Sequence, residues 1–129
     1  TGDNAMTSRT ILLTAALLVA FWLTSYLGLP EALGAHPWWA VKSGVIGSVI
    51  GAAAVIGWRL LFKNARGITW IALAGLIAAG FSAVLGKQEF AASYAENALA
   101  GRFWFFGWIA ISACLFALLA SILIARFGR

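Results

Sequence analysis

Four long apolar stretches, each of about 20 residues or more, dominate this chain. They cover residues 10–29, 38–62, 67–86 and 103–125. A helix needs about 20 apolar residues to cross the roughly 30 Å hydrocarbon core of a bilayer. Inside that core the backbone must satisfy its own hydrogen bonds, which favours helices over isolated strands. We therefore predict an all-α fold, a four-helix antiparallel bundle that is integral to a membrane.

The composition excludes an ordinary soluble domain. Of the 129 residues, 63% are hydrophobic and 10% are charged, whereas soluble domains are about half apolar and a quarter charged. The length suits one transmembrane domain, which we place at residues 6–129. Residues 1–5 are polar and precede Met6, so we expect them to be the remnant of an expression tag.

Cations are distributed unequally between the two sets of segments that flank the spans. Six lie on the side of the termini, namely Arg9, Arg59, Lys63, Arg66, Arg126 and Arg129. Three lie on the opposite side, namely Lys42, Lys87 and Arg102, together with Glu31, Glu89 and Glu96. Because Lys and Arg accumulate in short cytoplasmic loops, we predict a multi-pass protein of the inner (cytoplasmic) membrane with both termini cytoplasmic. The cations are scattered singly, so nucleic acid is not expected as a partner.

The longest connection, residues 87–102, has apolar residues at near-helical spacing. Phe90, Tyr94 and Leu99 share one face, and polar residues fill the other. This pattern predicts a short amphipathic helix on the outer leaflet. A solvated connector is the alternative.

Tryptophans lie near the predicted ends of the spans. Amphipathic rings are enriched at membrane interfaces, where the ring is buried and its N–H is wet. We predict interface anchors at Trp38, Trp39, Trp104 and Trp108 on the outer side, and at Trp58 and Trp70 on the inner side.

Rows of small residues indicate where the helices touch. Membrane helices associate where small side chains let backbones approach closely. The second span carries one row of Ser43, Gly47 and Gly51, a neighbouring row of Gly44, Ser48 and Ala52, and a further small residue at Gly57; the third span carries Gly75 and Ala79. We predict that the second helix lies at the centre of the bundle, with the third and fourth helices on its glycine rows, or that it forms a contact between copies.

Groups that could support chemistry are few and lie near the predicted outer surface. Lys42 can extend to the interface, attract anions or contact a partner, and His36 is the single histidine. Glu31, Glu89 and Glu96 could gather cations or simply be solvated. Neither a catalytic constellation nor a metal-ligand set is recognisable. We therefore predict that the protein is not an enzyme and has no cofactor or metal.

Two functional hypotheses follow from these patterns. The first is a non-enzymatic accessory, assembly or scaffold protein that acts through helix contacts, with the lipid bilayer and either a second copy or a larger membrane complex as its partners. The second is a small homo-oligomeric channel or transporter. In the second hypothesis Ser43, Gly47, Ser48 and Gly51 line a path at a subunit interface, with Lys42 at its outer mouth.

Overall fold

Five helices make up the structure, a computed structural model that describes residues 8–36, 39–62, 66–94 and 98–127. The helices are α1 (Ser8–Tyr26), α2 (Leu29–Ala32), α3 (Ala40–Leu61), α4 (Arg66–Ala92) and α5 (Ala98–Phe127). No strand occurs within the described ranges. The long helices α1, α3, α4 and α5 are each long and apolar enough to cross a membrane. The prediction of an all-α protein with four apolar helices of spanning length is therefore confirmed.

The first span ends slightly earlier than predicted, because the chain turns at Gly28. This residue has φ of 93°, a left-handed conformation that glycine adopts without steric cost. Pro30 then lies in the first turn of α2. A backbone N–H at this position would have no intrahelical acceptor, so proline loses no hydrogen bond there. Residues 29–32 consequently form a separate short helix.

Helices α4 and α5 extend well beyond the predicted third and fourth spans. Residues 87–92 continue α4, and residues 98–102 begin α5. The described residues thus do not form the separate amphipathic helix predicted between 87 and 102. Extending a helix that is already nucleated costs less than starting a new one, and Gly86 lies against α5 rather than ending α4.

Helix α5 is the centre of the bundle and packs against α1, α3 and α4. Our prediction placed the second span, which is α3, in that position. Instead α4 packs chiefly along α5, and not on the small-residue rows of α3. The physical reason is that α4 and α5 have small residues of their own at matching positions, so these two helices can approach closely without α3.

The α4–α5 contact is antiparallel and close at several levels. A Cβ atom placed on Gly86 would lie 2.7 Å from the Ala100 carbonyl oxygen, and one placed on Gly107 would lie 3.0 Å from the Ala83 Cα. Near the other end of the pair, Thr69 donates a hydrogen bond of 2.7 Å to the Ser121 hydroxyl. Small side chains therefore bring the two backbones together along much of their length.

Helices α3 and α5 run parallel, and their contact depends on two glycines. A Cβ atom on Gly47 would lie 2.6 Å from the Ile109 carbonyl oxygen, and one on Gly51 would lie 2.6 Å from that of Ala113. Real Cβ atoms do not approach backbone atoms so closely. Below this contact, Phe116 is fully buried and its ring packs edge-to-face on Phe21 of α1, with centroids 5.1 Å apart.

We predict that Gly51→Leu destabilises the protein by about 3 kcal/mol, because the new side chain must displace backbone atoms of α5. The melting temperature of the purified protein in mild detergent measures the effect. Gly80→Leu is the matched control, since a Cβ atom at Gly80 meets nothing within 4 Å. Equal melting temperatures for the two variants would contradict the assigned α3–α5 contact.

Candidate functional site

The two small-residue rows of α3 face two different helices. Gly47 and Gly51 face α5, as described above. Gly44 faces α1, where a Cβ atom would lie 2.9 Å from the Ser25 Cβ. The Trp22 indole N–H donates a hydrogen bond of 3.1 Å to the Ser48 hydroxyl. The two small-residue rows, which lie in the amino-terminal (upper) half of α3, are therefore covered by helices of the same chain.

The two serines of these rows are fully buried. Ser43 donates to the Ala40 carbonyl at 2.8 Å, and Ser48 donates to the Val45 carbonyl at 2.9 Å. Both hydroxyls are thus satisfied within their own helix, a common arrangement for Ser in apolar helices. A solute path along them would require α3 to separate from its neighbours.

The carboxyl-terminal (lower) part of α3 differs from the upper part, because its small residues are not covered by another helix of the described chain. A Cβ atom at Gly57 would meet nothing within 4 Å, and Ala53 and Ala54 are exposed. We call these three residues the open row of α3. The open row has the small side chains that close helix packing needs, but no helix of this chain covers it in the described residues.

The small residues predicted on the third span lie at the α4–α5 contact. A Cβ atom on Gly75 would lie 2.7 Å from the Cys114 sulfur. Ala79 is buried at the same contact. Both residues therefore pack within the chain.

An aromatic cluster fills the end of the bundle where α2, α3, α4 and α5 meet. It consists of His36, Trp39, Phe90, Trp104 and Phe105. The His36 and Trp39 ring centroids lie 5.3 Å and 5.2 Å from the Trp104 centroid, and Phe90 lies 5.7 Å from it. Each of these pairs is within the range of favourable aromatic contacts. His36 is thus part of a packed ring cluster.

Trp104 is the centre of this cluster. Its indole N–H donates a hydrogen bond of 3.1 Å to the Gly34 carbonyl, and its side chain is only 8% exposed. Gly34 has φ of 121°, which favours glycine at this turn. The sequence predicted an interface anchor here. In the structure Trp104 joins α5 to the segment between α2 and α3, and its role as an interface anchor stays a prediction.

The other predicted anchors differ in burial. Trp70 is exposed on α4, Trp108 is half-buried on α5, and Trp39 belongs to the aromatic cluster. Trp58 packs on Phe62, with centroids 4.4 Å apart. Anchoring at the interface stays a prediction for these residues, and Trp38 lies outside the described residues.

Charged residues predicted at the outer surface lie at the end of the bundle that holds the aromatic cluster. Lys42 is exposed in the first turn of α3, Glu31 is exposed on α2 and Glu89 is exposed on α4. Glu96 lies outside the described residues. The ammonium of Lys87, a residue that the sequence marks only by its charge, lies 5.8 Å from the centroid of the Trp104 ring, a cation–π contact.

A groove, which we call the lateral groove, runs along α5 between this end and the middle of α1. Its upper cavity, of about 540 Å³, lies between α4, α5 and the Gly34 turn. Its lower cavity, of about 310 Å³, lies between α1, α2 and α5. Leu33, Trp108 and Ile111 line both cavities, so the two adjoin along these three residues.

Sequence reasoning missed the part that α1 plays in this arrangement. The buried residues of α1 are Thr10, Thr14 and Ser25. Separations of 4 residues and then 11 residues place all three on one face of a helix. Polar residues that share one face of a spanning helix are expected to face the bundle interior. That pattern could have identified the buried side of α1.

No family model, curated protein or solved structure matches this chain. In the part of the chain that the structure describes, no group of three or more His, Cys, Asp or Glu side chains is placed to bind a metal ion. The packing surfaces, the aromatic cluster and the lateral groove are therefore the features from which a function can be inferred.

We predict that Trp104→Phe lowers the unfolding free energy by about 1 kcal/mol, because the half-buried Gly34 carbonyl loses its donor. Thermal unfolding in detergent measures this loss. Trp70→Phe, at an exposed position, is the matched control and should leave the melting temperature unchanged. A Trp104→Phe protein as stable as wild type would show that the indole N–H does not hold the turn.

Proposed function

We propose that this protein is a non-enzymatic accessory or assembly protein of the inner membrane, which acts by packing against a second copy or a larger membrane complex. The observation that carries the proposal is the open row of α3. Lipid tails cover bulky and small residues alike, whereas close approach of two helix backbones needs small ones.

The surroundings of the open row support a contact with another helix. Leu60 and Leu61 are exposed below it, and Val49 and Ile50 are exposed above it. Small residues flanked by bulky ones give a surface of grooves and ridges into which a second helix can pack. The upper rows of α3 show the same chemistry, already used within the chain.

The alternative of a channel or transporter receives less support. Its proposed path used Ser43, Gly47, Ser48 and Gly51. The two serines are fully buried, and the two glycines are in contact with α5. We therefore do not propose a solute path along α3.

For the orientation, we propose that both termini face the cytoplasm. The unequal distribution of Lys and Arg in the sequence supports this direction. The long helices alternate in direction, so that the start of α1 and the end of α5 belong to the same end of the bundle.

We predict that Gly57→Leu and Ala53→Leu reduce association at least tenfold, because bulk at the open row keeps a second backbone away. Native mass measurement after gentle extraction from cell membranes reports copies and partners together. Ala78→Leu, which adds the same bulk at an exposed position of α4, is the matched control and should associate as wild type does. A wild-type protein that is monomeric and without partners after such extraction would refute the proposal.

The orientation is tested with single cysteines introduced after Cys114→Ala. Tyr94→Cys, at a side chain that is 92% exposed, should react with a membrane-impermeant maleimide added outside intact cells. Ser8→Cys, exposed at the start of α1, should react only after the membrane is permeabilised. The reverse labelling pattern would place the termini outside.

A further inference from the structure

The lower cavity of the lateral groove has the chemistry and length of a site for an acyl chain. Its lining is predominantly apolar and includes Leu17, Phe21, Leu115 and Leu119. From Trp108 to Leu119 the groove follows α5 for about 16 Å, at 1.5 Å per residue. Half of the hydrocarbon core of a bilayer measures about 15 Å. The groove therefore has the length of one leaflet.

The upper cavity adds a positive charge at the end of this apolar path. It is lined by Lys87 and Gln88 beside Trp104 and Gly34. No carboxylate is among the described residues that line either cavity, and Glu89 lines a separate cavity with Ser82 and Phe103. The charge in the groove is thus matched to an anionic group.

The position of Lys87 suits a headgroup at the surface of the membrane. Its side chain is exposed, and its ammonium lies close to Gly34, 3.4 Å from where a Cβ atom of that residue would be. The Trp104 ring below it holds the ammonium at the mouth of the groove through the cation–π contact. A phosphate there could accept hydrogen bonds from the ammonium while its chains run down α5.

We infer that the lateral groove binds one anionic phospholipid, with its phosphate at Lys87 and one acyl chain along α5 between Trp108 and Leu119. This inference needs only that the helices span a membrane, and it stands independently of the association proposed at the open row of α3. It assigns a ligand class to a surface that the packing of the chain leaves unfilled.

A protein helix fits the lower cavity less well than a lipid chain. A helix with its side chains is about 10 Å in diameter, and the lower cavity is an open cleft of only about 310 Å³. A single hydrocarbon chain is much thinner. The dimensions of the groove therefore favour a lipid over another transmembrane segment.

Lipid titration of the purified full chain tests the inference. The protein in mild detergent is titrated with dioleoyl phosphatidylglycerol, and in a parallel series with dioleoyl phosphatidylcholine, and bound lipids are counted by native mass spectrometry. We expect one phosphatidylglycerol to be retained at lower lipid concentration than phosphatidylcholine. Lys87→Gln should weaken its binding about fivefold, the effect of removing one cation near a membrane surface.

The matched charge control is Arg102→Gln. Arg102 lies at the same end of the bundle as Lys87, but it lines a different cavity. This variant should bind phosphatidylglycerol as wild type does. Equal retention of the two lipids, or equal weakening by Lys87→Gln and Arg102→Gln, would overturn the assignment of the headgroup.

The acyl-chain position is tested separately by adding bulk to α1. Ala20→Trp places a large ring in the wall of the lower cavity and should weaken binding of both lipids. Ala15→Trp, exposed on α1 outside the groove lining, should not. Melting temperatures close to wild type show that each variant is folded. Unchanged binding by a folded Ala20→Trp protein would overturn the placement of the chain.

Discussion

The close approach of α3 and α5 determines how the remaining helices are arranged. Gly47 and Gly51 allow the two parallel helices to touch through backbone atoms, where any side chain would hold them apart. In an alternating bundle, helices that run parallel usually lie across a diagonal, separated by their neighbours. Here the parallel helices α3 and α5 are in direct contact. Helix α1 packs on the resulting α3–α5 pair, while α4 is attached through α5, and the lateral groove follows from the spacing this leaves.

The sequence was sufficient to predict the four apolar helices, because hydrophobic length is a strong constraint in a bilayer. It also showed which residues of α3 were small. It could not show which neighbouring helix each row would meet, since α4 and α5 carry small residues too. Gly86 and Gly107 each lie against the backbone of the opposing helix, and this match depends on the register of α4 and α5. The central position of α5 is a property of three contacts together and has no local signature.

The candidate sites were harder to predict for a related reason. Lys87 looks like an ordinary loop cation until α4 is seen to continue past residue 86, which carries its ammonium to the ring of Trp104. Trp104 in turn resembles any interfacial tryptophan until the Gly34 turn supplies an acceptor for its N–H. Spacing alone groups Gly57 with the packed glycines of α3. Only the arrangement of neighbouring helices separates the covered part of α3 from the open row.

The position of α5 in the chain has a consequence for biosynthesis. This helix follows α1, α3 and α4 in the order of translation, yet it is the one against which all three pack. Until α5 has been translated, the faces of α1, α3 and α4 that pack against it lack that partner. The contact of α4 with α5 joins neighbours in sequence, whereas the contacts of α1 and α3 with α5 join it to segments that are translated well before it.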